Sequence, residues 1–130
     1  MKFIKFCLCY LLSFLAFSAY AQSVDFSEPK NGAVVSSPFN VGFVVTGMKV
    51  VPAGDMTADT GHHHLLINLD SIPEGVVIPS DEQHKHFGKG QTETLVTLAP
   101  GKYKLTLQFA NGLHQSYGPK MSKTIEVTVK

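Results

Sequence analysis

The sequence has no tryptophan and only two cysteines, Cys7 and Cys9. Both lie in an N-terminal segment that reads as a cleaved signal peptide. Its elements are basic Lys2 and Lys5, an apolar run over residues 6–17, and a small-x-small ending at Ala21. Each cysteine falls early in that run with no small-residue site before it, which argues against a lipoprotein. Cleavage after Ala21 makes Gln22 the first residue and leaves no thiol. That excludes a disulfide staple, a thiolate ligand and a cysteine nucleophile, although an exported compartment permits disulfides.

Long hydrophobic runs are also missing. The leader run is shorter than the roughly 20 residues needed to span a bilayer, and no later segment reaches even its length, so stable membrane insertion is not expected. An excess of either charge is missing too. Without Lys2 and Lys5 the 11 basic residues become 9, against 10 acidic ones, a formal charge of −1. A nucleic-acid binder normally carries a basic stripe, and none is present. The expectation is a single domain over residues 22–130, in the periplasm or secreted, preceded by a signal peptide over 1–21.

What remains is rich in short β patterns. Residues 22–26 and 33–35 suggest short strands, and Phe-Asn-Val-Gly-Phe-Val-Val-Thr from Phe39 to Thr46 alternates cleanly, with Gly42 marking a bend or close neighbour. Residues 47–60 read as a long loop, 65–69 as a buried strand, and 81–90 as irregular, with a turn of helix capped by Ser80. Residues 92–98 and 103–109 predict a hairpin closed by Pro100-Gly101 as a type II turn, with Tyr103, Leu105, Leu107 and Phe109 inward. Residues 124–129 give the last strand. The fold class expected is all-β, an antiparallel immunoglobulin-like β-sandwich of about seven strands.

The chemistry concentrates in histidine. Asp59-Thr60-Gly61-His62-His63-His64 runs straight into the apolar strand, and His84-Lys85-His86 and His114 follow. A period of two sends His62 and His64 from the strand end on one face and His63 to the other, and puts His84 and His86 on a common side. His63 is therefore expected to be a hydrogen-bonded surface or core residue. Neutral imidazole suits copper, zinc and nickel, so His62, His64, His84, His86 and His114 are the candidate metal ligands. Asp59 is the nearest carboxylate to orient a ring. Met48 and Met56, with Met121, offer a softer copper(I) alternative.

Other chemistries lack their signatures. There is no H-E-x-x-H pattern and no Gly-x-Ser-x-Gly elbow. Ser116 near His114, with Asp59 or Asp70, is only a nominal triad, and no general base stands out, so a non-enzymatic domain is expected. The copper brace that uses an N-terminal histidine fails because Gln22 would come first. Gly88 and Gly90 precede a strand and read as turn residues that help His86 and Phe87 approach the sheet edge.

The segments Gly61-His62-His63-His64-Leu65-Leu66-Ile67-Asn68, His84-Lys85-His86-Phe87-Gly88-Lys89-Gly90-Gln91-Thr92-Glu93 and Leu98-Ala99-Pro100-Gly101-Lys102-Tyr103 together resemble DUF4399, an exported bacterial family of unknown function. The resemblance extends from about Gly32 to Val129. It implies a small periplasmic β domain and no particular reaction. A looser likeness to periplasmic copper-carrier sandwiches is limited to size, export and a hairpin before a histidine-bearing loop. The functional expectation is copper or zinc binding for storage, delivery or stabilisation. The alternative is an envelope interaction or scaffold module with structural histidines, and an exposed strand edge leaves room for a homodimer.

Overall fold

A computed structural model describes residues 21–130. The expected signal peptide, apart from Ala21, lies outside the described residues. The domain is all-β, with two sheets built from nine strands: β1 Ser23–Glu28, β2 Ala33–Val35, β3 Phe39–Thr46, β4 Lys49–Val50, β5 Thr60–Ile67, β6 His84–His86, β7 Glu93–Val96, β8 Gly101–Ala110 and β9 Ser122–Val129. One sheet has the order β1-β3-β7. The other runs β2-β9-β8-β5-β4, with β6 also paired to β5. No described helix is long and apolar enough to cross a membrane.

Alternation explains which side chains meet between the sheets. Phe39, Val41 and Phe43 of β3 point inward with Val24 and Phe26 of β1, against Leu65 and Ile67 of β5 and Leu105, Leu107 and Phe109 of β8. The inward set read from residues 103–109 matches this, with Tyr103 packed at its margin. Gly42 faces Ser27, where the β1–β3 register shifts between Phe26 and Glu28. A β-bulge there presses one strand on the next, and a Cβ at position 42 would meet the Ser27 hydroxyl.

Three expectations are corrected. The hairpin over 92–109 does not form: β7 pairs with β3 and β8 pairs with β5 and β9, so residues 97–100 cross between the sheets. Tyr103 Oη donates to the Ala99 carbonyl at 2.7 Å across that crossing, and Gly101 begins β8 at φ 154° rather than closing a type II turn. Alternation reports which face is buried but does not name the partner strand. The pairing is also not wholly antiparallel, because β2–β9 and β4–β5 are parallel. Finally, residues 81–90 contain β6, not a capped helical turn. The Asp81 carboxylate accepts from the Gln83 and His84 amides and starts that strand.

The outer face of the larger sheet is covered as well. Leu66 and Ala110 pack with Ile78, flanked by Leu69 and Ile72 from the segment after β5. Buried Gln108 holds that cover down: its Oε1 accepts from Ile72 N at 3.0 Å and its Nε2 donates to Gly118 O at 3.0 Å. Ser116 Oγ donates to Ile72 O at 2.8 Å. These two buried polar side chains, Gln108 and Ser116, each find partners.

Candidate metal centre

Strand β5 carries the histidines inside the sheet rather than at its end. It begins at Thr60, five residues before the apolar run, and is bracketed by Asp59 and Asn68, both with left-handed backbone at φ 57° and 58°. All eight of its residues are buried. β8 lies on one side, placing His62 opposite Ala110 and His64 opposite Gln108. On the other side β6 places His86 opposite His64. Gly61 is required there because a Cβ would strike the Ala110 carbonyl and the Phe109 ring.

The period of two then separates three adjacent histidines. His63 enters the core, with its ring 5.1 Å from Phe43 and 4.9 Å from Phe109 between centroids. Neither of its ring nitrogens has a hydrogen-bond partner, so the expectation of a core position is met and that of a hydrogen bond is not. His62 and His64 occupy the opposite face, at 0% and 1% exposure, with their Nε2 atoms 3.0 Å apart.

His86 and His114 close over this pair. Their Nε2 atoms lie 3.1 Å apart, and the His62 ring centroid is 5.0 Å from each. One ring nitrogen from each of His62, His86 and His114 lies within 4.8 Å of the other two. His114 reaches this position with φ 64°, in a turn where the Asn111 carboxamide oxygen accepts from the Leu113 and Gln115 amides. Positive φ is uncommon outside glycine, and histidine is among the residues enriched there.

The loop before β5 ties the two outer histidines in place. Ala53 N donates to Gly88 O and Gly54 N to Gly112 O, both at 2.9 Å, and each acceptor lies two residues from His86 or His114. A side chain at residue 88 would displace the His86 ring, since a Cβ would lie 2.6 Å from its Nε2. The reading of Gly88 as a residue that lets His86 approach is consistent with this. Phe87, adjacent, is buried in the main core.

Two candidate residues stand apart. His84 shares the β6 face with His86 but pairs one step further along, opposite Leu66, and its Nδ1 contacts the Asp81 carboxylate at 2.7 Å. The sequence put His84 and His86 on a common side as candidate ligands, and the structure brings only His86 to the cluster. Asp59 takes the Gln22 amide at 3.0 Å instead of an imidazole. The Nδ1 atoms of His62 and His64 have no hydrogen-bond partner, so packing rather than a carboxylate orients these rings. Met48 and Met121 pack with the apolar core, and Met56 is exposed.

A family model described as Domain of unknown function (DUF4399) matches residues 41–130. The chain belongs to the DUF4399 family. The match takes in all six histidines but begins inside β3, so it is shorter at its start than the resemblance traced from Gly32. No curated protein and no solved structure matches the chain.

Electrostatics keep the DUF4399 cluster neutral. Burial first, and then the neighbouring His86 and His114, lower the His62 pKa to about 4. Burial and then His62 lower His63 to about 4, while burial with the surrounding imidazoles lowers His64 to about 2. His86 is lowered by burial and by His114. An uncharged imidazole keeps a lone pair, the state in which it ligates a metal.

Proposed function

We propose that this DUF4399 domain binds a divalent transition metal ion, copper or zinc, through His62, His86 and His114. Its role would be to store, deliver or be stabilised by that ion. The observation that carries the reading is the convergence of three ring nitrogens from β5, β6 and the loop after β8 within 4.8 Å. Neutral, nitrogen-only donors match the preferences of copper and zinc and leave magnesium and calcium, which favour oxygen, poorly served. The supporting frame is an immunoglobulin-like sandwich, exported by the N-terminal leader to the periplasm or beyond the cell.

Calorimetric titration of tag-free protein with Cu(II) and with Zn(II) tests this. The expected result is saturable binding near one ion per chain, lost when His86→Ala and His114→Ala are combined. Those two side chains lie on the outer side of the cluster, so the double variant spares the buried strand. Weak, non-saturating heat with the wild-type protein would reject the metal site and leave the alternative of an envelope interaction module whose histidines are structural.

A further inference from the structure

Resting on the metal-binding reading above, we infer that the centre is a closed four-imidazole site. His64 is the fourth ligand beside His62, His86 and His114, and no coordination position remains for water or substrate. His64 follows His62 by two residues on the same face of β5, so the strand that fixes one ring fixes the other. Its Nε2 lies 3.0 Å from His62 Nε2, and its ring centroid is 5.1 Å from His86 and 6.0 Å from His114.

The geometry is that of two pairs, one inner and one outer. Four nitrogens placed tetrahedrally at zinc bond lengths are about 3.3 Å apart. The inner pair at 3.0 Å and the outer pair at 3.1 Å already sit near that separation. His62 also lies within 4.8 Å of both outer nitrogens, whereas His64 stands outside that group and must draw closer to the outer pair on loading. His62 and His64 have almost no exposure while His86 is exposed and His114 half-buried. An ion therefore reaches the inner pair only past the outer one.

Saturation carries a functional consequence. Catalytic zinc sites keep three protein ligands and an open position for water, whereas structural sites use four. A fourth imidazole on the buried side removes the open position. Holding an ion, and releasing it by displacement of His86 and His114, is the chemistry that such a site favours over activation of water.

Cobalt(II) replaces zinc as the probe, because tetrahedral Co(II) absorbs visible light far more intensely than five- or six-coordinate Co(II). The wild-type protein is titrated with Co(II), and free imidazole is then added at low millimolar concentration. An intense visible band that imidazole leaves unchanged supports the closed site. A weak band, or one that imidazole shifts by filling a vacant position, overturns it while leaving the three-histidine reading standing. Failure to bind Cu(II), Zn(II) and Co(II) alike would instead remove the metal-binding reading and this inference with it.

His64→Leu gives a second readout, with its fold checked by circular dichroism. It should still bind one Co(II), at least about tenfold more weakly, with a reduced band that becomes sensitive to imidazole. An unchanged spectrum and affinity in that variant would contradict the role of His64. If the variant does not fold, the wild-type imidazole test decides alone.

Discussion

The two faces of β5 treat the same side chain in opposite ways. His63 sits between Phe43 and Phe109 with both nitrogens unpartnered, while His62 and His64, one residue to either side, meet each other at Nε2 and face the rings of His86 and His114. All three are buried and all three are held neutral by that burial. Depth in the fold therefore does not distinguish a candidate ligand from a packing residue. What distinguishes them is whether the facing element supplies another donor.

The sharpest way to break this contrast is to remove donors from one face only. Combining His86→Ala with His114→Ala should weaken Zn(II) or Cu(II) binding by more than the roughly 100-fold that loss of an outer-shell partner can cost. Thermal unfolding of the apo protein should change little, because these side chains lie outside the core. Calorimetry and melting curves measured on the same samples check both halves.

Acid should act on the two faces together. His62, His63 and His64 have folded-state pKa values below 6.5, so below that pH the unfolded chain takes protons that the native chain refuses. Apo stability is then fully present above about pH 6.5 and falls as pH drops toward 4, by up to about 1.4 kcal/mol per pH unit for each buried histidine. Urea denaturation between pH 7 and 5 measures the slope. A flat profile would mean that these rings are not buried and neutral. Metal affinity should fall over the same range, because ligating imidazoles must be unprotonated.

Changing the core-facing member alone should have the reverse sign. His63→Leu removes two unpartnered buried nitrogens and keeps an apolar side chain of similar size between Phe43 and Phe109. It should stabilise the apo domain by about 1–3 kcal/mol without altering metal affinity, as read by denaturation and titration. A loss of binding would show that the faces are not independent. The smallest expected effect is that of Gly88→Ala. It should crowd the His86 ring and weaken binding by about tenfold, with a melting temperature close to wild type.

Much of this contrast was legible in the residues. A period of two places His62 and His64 on one face and His63 on the other, and the alternation of residues 39–46 and 103–109 marks the core. The choice of His86 over His84 was not legible. Both lie on one face of β6, and only the register with β5 and the anchoring of His84 on Asp81 separates them. The failed hairpin has the same origin: Pro100-Gly101 is a turn signal, but the sheet that each flanking strand joins depends on partners distant in sequence. The roles of residues 53, 54 and 88 were hidden for a related reason, since backbone donors and missing Cβ atoms leave little trace in a sequence beyond a glycine.

The most direct test of the central claim is X-ray absorption spectroscopy of the zinc-loaded protein. A nitrogen-only shell at about 2.0–2.1 Å, with outer-shell scattering from at least three imidazoles, is the expected result. A shell made mostly of oxygen, or one with no more than a single imidazole, would contradict a metal site built by His62, His86 and His114.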